Sequence, residues 1–288
     1  MPEPSIDLHA HTTASDGSLR PAELVRQAAA DGLSALAVTD HDTAEGLEEA
    51  RDEARRTGIE LVNGIEISVH WEAGTFHLLG YLFEETPALR AGLQELQGLR
   101  RERNARMIAK LNELGYRLTE EEVAAEGGGG QIGRLHIARA LLRRGAVSTV
   151  EEAFGRLLRR GRPAFVMVDR LGAAEAIRMI RSAGGVAVVA HPFQLRLGED
   201  ALDGAVAEWT ALGLGGIEVQ HSSHDAGQVA FLSALAGRHN LAATGGSDFH
   251  GENKPGIPLG RAGEGARIPL SRLEDLRAKR PRGNPEAP

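Results

Sequence analysis

A chain of 288 residues with 42% hydrophobic and 25% charged residues has the balance of a soluble globular protein, long enough for one large α/β domain or a domain with an insert. The absence of cysteine excludes disulfides, thiolate zinc sites, iron–sulfur clusters and a cysteine nucleophile, so any metal must sit on nitrogen and oxygen ligands. A net charge of −7 argues against a DNA-coating protein, and no apolar run is long enough to span a bilayer.

In chain order, Ser5–Leu8 reads as a short strand, followed by an Ala-rich helix from Pro21 to Asp31 that stops at Gly32. Leu33–Thr39 is an apolar run of buried-strand length, and Gly46–Thr57 is a helix ended by Gly58. Ile59–Glu66 and Thr75–Phe83 are the third and fourth strands. From about Ala88 to Arg160 the spacing is helical only, as in Leu89, Leu93, Leu96 and Leu99. Gly127–Gly130 interrupts it, lacks the Lys-Ser/Thr of a phosphate-binding loop, and reads as a flexible link. Alternation then returns: helix 172–183, strand Val186–Ala190, helix 203–212, strand Gly216–Val219, helix 225–239, strand Leu241–Thr244. Pro281–Pro288 reads as a disordered tail.

Strands separated by helices imply an α/β fold with parallel pairing and right-handed crossovers. Seven of them favour a closed or nearly closed barrel, with a doubly wound open sheet as the alternative. The expected domains are a discontinuous barrel, 1–83 and 171–280, and an all-helical insert, 84–170. The insert carries 16 Lys/Arg against 12 Asp/Glu, whereas the remainder carries 17 against 28. An acidic body that gathers cations beside a modestly basic segment suits an anionic substrate, although solvated helix faces give the same counts. With no basic, apolar leader in MPEPSIDLHAH, the expected location is cytoplasmic, with no membrane partner and no stable DNA complex.

Ionisable groups gather at the expected strand ends. His9 and His11 follow the first strand as H-x-H, which on extended backbone puts both rings on one side. Asp16 lies in the next loop, His41 in T-D-H-D after the second strand, Glu66 at the end of the third and His77 in the fourth. His191 follows Ala190, and Asp248 and His250 follow the last strand in G-G-S-D-F-H-G. Any one such histidine is ordinarily a hydrogen-bonded loop residue. Six with three carboxylates are different, because burying them together without cations is costly. Nine ligands exceed the needs of one ion, so two or three divalent ions sharing a carboxylate are expected, Mn first, with Zn, Fe or Mg as alternatives. Such clusters activate water and clamp phosphoryl oxygens.

The segments D-L-H-A-H-T-T-A-S-D-G, A-V-T-D-H-D-T, G-I-E-I-S, H-L-L-G-Y, A-H-P and G-G-S-D-F-H-G resemble the PHP (polymerase and histidinol phosphatase) family, in the family's order from residue 6 to 251. The resemblance implies a distorted (β/α)7 TIM-like barrel with a trinuclear site. It places one ion on His9, His11, Glu66 and Asp248, a second on Glu66, His77 and His191, and a third on Asp16, His41 and His250. Within the insert, G-R-L-H-I-A-R-A at Gly133–Ala140 resembles a segment of the PHP proteins that act on nucleotides, the 3',5'-nucleoside bisphosphate phosphatases and 5'→3' exoribonucleases of the ribonuclease AM type. Leu135 stands where that segment has proline. The resemblance gives Arg134 and His136 a substrate phosphate. A guanidinium fork matches phosphate bidentately, and the competing reading is a surface Arg and a capping His.

Ile217–His224 also resembles this group, and His221 is assigned to the phosphate or leaving group, or else to an ordinary loop role. Asp40 is assigned to orienting a ligand histidine, or else to shaping its turn. His70, His224 and His239 are left as structural or exposed. The expected activity is phosphoester hydrolysis on nucleotides by a metal-bridging hydroxide, foremost removal of the 3'-phosphate of 3',5'-bisphosphonucleotides, with 5'→3' trimming of short RNAs at the same site. The alternatives are a histidinol-phosphate phosphatase, or another phosphomonoesterase of the family, and a non-catalytic metal-binding or polymerase-accessory module.

Overall fold

The computed structural model describes residues 4–167 and 171–281, so the tail expected at Pro281–Pro288 lies outside it from residue 282 onward. Seven strands form one sheet: β1 (Ile6–Ala10), β2 (Ala35–Val38), β3 (Glu60–Val69), β4 (Phe76–Tyr81), β5 (Val186–Val189), β6 (Gly216–His221) and β7 (Ala242–Gly246). They pair in sequence order, and the sheet nearly closes into a barrel. The His11 N–H donates to the Phe249 carbonyl at 2.9 Å and the Asp248 N–H to the His9 carbonyl at 2.8 Å, which ties the end of β7 back to β1.

Pairing is parallel except at β4, which runs antiparallel to both β3 and β5. The expectation of parallel strands fails there for a simple reason: residues 70–75 are too few for the crossover that a parallel neighbour needs. That hairpin matters for the site. It sets Glu66 opposite Leu79 and Ser68 opposite His77, so Glu66 and His77 share one face. β1 and β3 also run further than expected, so that His9 lies within its strand and not beyond it, and Glu66 lies inside β3 and not at its end.

Helices α1 (Pro21–Ala30), α2 (Leu47–Thr57), α7 (Ala173–Ser182), α8 (Glu199–Ala211) and α9 (Ala226–Arg238) cover the outside. Leu24, Leu36, Ile67, Val189, Val206, Ile217 and Leu232 build the core between them and the strands. Alternate strand residues, among them Ala37, Val62, Leu79 and Val188, form a second core with Leu273 and Leu276 of α10 (Ser271–Ala278). α10 is illegible in the sequence because it is short and mostly polar.

Between β4 and α7 the regular elements among the described residues are all helical: α3 (Pro87–Glu113), α4 (Glu120–Ala125), α5 (Arg134–Arg143) and α6 (Val150–Ala153), which runs on into a wider turn. Met107, Leu111, Ile137, Leu141 and Leu158 make a core of their own. The 27-residue α3, about 40 Å long, serves both bodies, because Leu89, Leu93 and Leu96 pack into the barrel's core. The glycine run is not a loose link. Gly128 and Gly129 take left-handed φ of 58° and 95°, and Gly130 lies so close to the Thr13 carbonyl that a Cβ would sit 1.9 Å from its oxygen. Among the described residues no helix is long and apolar enough to cross a membrane.

Candidate metal centre

The barrel end that carries the site is built by backbone packing first. A Cβ on Gly246 would stand 2.1 Å from the Cβ of His9, so only glycine lets β7 lie against β1 here. Asp7 fastens the same seam, accepting from the Ser247 N–H at 3.0 Å, the Ser247 hydroxyl at 2.5 Å and the Gly260 N–H at 2.7 Å. Asp248 and His191 take φ of 58° and 26°, a region that costs a non-glycine residue on the order of 1–3 kcal/mol. Both lie where side chains must be aimed inward.

Glu66 stands at the centre. One of its oxygens, Oε2, lies 3.4 Å from His9 Nε2, 3.2 Å from His11 Nε2 and 3.1 Å from His41 Nδ1. The other, Oε1, lies 2.8 Å from His77 Nδ1 and 2.9 Å from His191 Nε2. Asp248 Oδ1 closes the first group, 3.6 Å from His9 Nε2 and 3.4 Å from His11 Nε2. Asp16 gathers a third, its carboxylate 3.3 Å from His250 Nε2, 3.6 Å from His11 Nδ1 and 3.8 Å from His41 Nε2. All nine side chains singled out in the sequence thus meet in one connected cluster.

The residues fit cations. Ligands about 2.0–2.2 Å from a tetrahedral ion stand roughly 3.4 Å from each other, and the first group spans 3.2 to 3.6 Å. Buried ring nitrogens without a hydrogen-bond partner, His9 Nε2, His11 Nε2, His41 Nδ1 and His191 Nδ1, belong to this cluster.

The helical segment reaches the same place. His136 lies in the first turn of α5, and its Nδ1 accepts from the Gly133 N–H at 2.9 Å, which leaves Nε2 to carry the proton. Arg134 has no carboxylate within ion-pair distance among the described residues; burial and the neighbouring Arg100 oppose its charge, and only Asp16 favours it. Asp16 likewise acts on His136, whose pKa burial lowers. The backbone just ahead of both residues is docked on the loop that carries Asp16, the Gln131 N–H donating to the Ala14 carbonyl at 2.8 Å, and that loop is the Asp16 corner of the cluster. The Asn253 side chain joins the two bodies at that corner, donating to the Asp16 carbonyl at 2.9 Å while its own oxygen accepts from Arg139.

A family profile for the PHP domain matches residues 7–122. A 5'-3' exoribonuclease from Haemophilus influenzae is 38% identical over 245 residues, covering 85% of this chain and 89% of that protein. The chain belongs to the PHP family. A 3',5'-nucleoside bisphosphate phosphatase from Chromobacterium violaceum is 37% identical over 258 residues, 89% of this chain and 90% of that protein. The crystal structure of a candidate metal-dependent phosphoesterase from Bifidobacterium adolescentis matches with a TM-score of 0.87 at 31% identity, covering 98% of each chain. This PHP chain is an enzyme, a metal-dependent phosphoesterase on a distorted TIM-like barrel.

The electrostatics of the PHP site favour positive charge. Burial alone would strip protons from His9 and His11. The carboxylates outweigh it: Glu218, Glu66 and Asp248 hold His9 well above the ordinary histidine range, and Asp248 and Glu66 push His11 up to about 10. Burial pushes His41 down to about 3 against the pull of Glu66 and Asp16. Against their own burial, Asp16, Glu66 and Asp248 are all held well below the usual carboxylate range by the histidines they face. The pocket therefore keeps its acids ionised and demands cations, whether protons on His9 and His11 or metal ions.

Two further expectations find a place. His221 points Nε2 at Asp248 Oδ2, 3.3 Å away, and its Nδ1 contacts Ser223 Oγ at 2.8 Å. Among the described residues Asp40 makes no hydrogen bond or ion pair to an imidazole. It accepts from the Thr12 N–H at 2.8 Å, the Thr12 hydroxyl at 2.6 Å and the Ser15 hydroxyl at 2.6 Å, which shapes the loop carrying Asp16. His224 is buried and structural, its ring hydrogen-bonded to the Val219 carbonyl at 2.9 Å. The sequence reading missed Glu218, which receives His9 Nδ1 at 2.8 Å and the His191 N–H at 2.7 Å. A lone acid between Ile217 and Val219 of a buried strand was the available signal. It also missed Asp7, Lys254 and the buried pair of Asp42 with Arg100, which fixes α3 to the barrel.

Proposed function

We propose that this site hydrolyses nucleotide phosphates, removing the 3'-phosphate of 3',5'-bisphosphonucleotides and trimming short RNAs from their 5' ends. The carrying observation is Arg134, a guanidinium with no carboxylate partner among the described residues, set with His136 on a segment whose Gln131 N–H donates to the Ala14 carbonyl of the Asp16 loop at 2.8 Å. The names of the two bacterial relatives support the same substrate class.

In this reading His9, His11, Glu66 and Asp248 hold one divalent ion, Glu66, His77 and His191 a second, and Asp16, His41 and His250 a third, with Mn the first choice among Mn, Zn, Fe and Mg. When bound, the ions supply Lewis acidity, lowering the pKa of water and neutralising phosphoryl oxygens. The protein's own groups do the rest. Arg134 grips a substrate phosphate through its fork, and His136 donates to it from Nε2. Together they set the register of the scissile bond against the cluster. His221 faces that bond from the Asp248 side, and Asp40 keeps the Asp16 loop in shape. The segment 84–170 acts as the substrate-gripping insert, and the enzyme works in the cytoplasm.

Turnover after chelation and return of Mn tests this on adenosine 3',5'-bisphosphate, histidinol phosphate and short 5'-phosphorylated RNAs. The bisphosphate should be hydrolysed fastest, and only once metal is restored. Preference for histidinol phosphate would overturn the substrate assignment. Full metal loading with no turnover of any ester would point to a binding module.

A further inference from the structure

We propose that Lys254 is a ligand for the scissile phosphate, held on Asp248 until a cation occupies the first ligand group. The inference rests on the phosphoesterase reading of the site and adds a residue to it.

Asp248 is divided between two environments. Its Oδ1 belongs to the group with His9 and His11, at 3.6 and 3.4 Å. Its Oδ2 takes the ammonium of Lys254 and, at 3.3 Å, Nε2 of His221. Asp248 is the carboxylate that Lys254 pairs with among the described residues. The lysine side chain is 39% exposed and the aspartate 9%, so the ammonium reaches into the pocket from its open side.

The backbone that carries Lys254 is held. Asn253, just before it, is fixed by the Asp16 carbonyl and Arg139, which leaves the four-carbon stem as the moving part. A cation bound at Oδ1 repels the ammonium and draws charge from the carboxylate it rests on. The ammonium then needs another anion within a few ångströms. A phosphoryl group placed against the ligand cluster offers one. Arg134 and His136 approach from the insert at the Asp16 corner and Lys254 from the β7 side at the Asp248 corner, so the phosphate is held from two sides. Lysine suits the task, being a compact charge on a flexible stem.

Binding of inorganic phosphate, measured by calorimetry on the Mn-loaded full chain with metal content read in parallel, tests this. Lys254→Met should keep its metal and bind phosphate about tenfold or more weakly, the usual loss for a charge-assisted hydrogen bond, and Lys254→Arg should recover most of the affinity. The chelated protein should show no such difference, because Lys254 then remains on Asp248. Unchanged phosphate affinity in loaded Lys254→Met would overturn the proposal, as would loss of metal, which would make Lys254 a prop for Asp248. An equal loss in the chelated protein would overturn its release by the cation. The probe contains no nucleoside, so a failure of the nucleotide reading shows separately, in wild-type turnover.

Discussion

Glu218 accepts from Nδ1 of His9 at 2.8 Å and so turns Nε2 of the same ring toward Glu66 and Asp248. A carboxylate behind a ligand imidazole fixes its tautomer and raises its basicity, and losing such a partner costs about 10–100-fold in metal affinity. Glu218→Gln should therefore weaken Mn binding by about that factor while circular dichroism and thermal midpoint stay near wild type. Excess Mn should restore turnover. Unaltered Mn affinity would remove Glu218 from the metal's support.

Asp248 faces His9 and His11 with Oδ1 and Lys254 and His221 with Oδ2. Asp248→Ala, or His9→Ala, should bring phosphate release to background at any Mn concentration. The decisive measurement pairs turnover with metal analysis: a mutant that retains its metal and its rate would refute these ligand assignments.

Arg134 should act on substrate and not on metal. Arg134→Ala is expected to raise KM for adenosine 3',5'-bisphosphate about tenfold or more, the worth of a charge-assisted contact at about 1.5–3 kcal/mol, with metal content unchanged. Loss of metal in this variant would show that Arg134 supports the cluster instead.

Metal loading should release protons. His11, at about 10, and His9, also raised, carry protons at neutral pH in the metal-free protein, and a ligand nitrogen must shed its proton to bind. The sign follows. His11's charged form stabilises the metal-free fold fully below its unfolded value of 6.5, and that contribution is lost as pH rises through about 10. Metal binding runs oppositely, gaining affinity as pH climbs over the same window. Calorimetry in buffers of different ionisation enthalpy should report about two protons released at pH 7, one from each of these rings. Release of none would show that both rings are already neutral.

Much of this molecule was legible locally. The apolar runs at Leu33–Thr39 and Val186–Ala190 and the glycines ending α1 and α2 announce their elements because strand and helix periodicities need only neighbours in sequence. H-x-H at His9 and His11, and the acids and histidines after successive strands, announced a cation site for the same reason. The two rings do lie side by side, their centroids 5.2 Å apart.

What stayed hidden depends on partners far along the chain. Glu218 and His9 are 209 residues apart, and Asp7 and Ser247 are 240 apart. A lone acid in an apolar strand does not say which ring it will meet. Nor does a glycine run say that its backbone will press on the Thr13 carbonyl. The chain alone determined which residues could bind cations and which strands carry them, because residue type and period are local properties. Only closure of the barrel and docking of α3 decided which carboxylate backs which imidazole and where Arg134 and Lys254 come to rest, because burial and charge pairing depend on what the rest of the chain packs against each group.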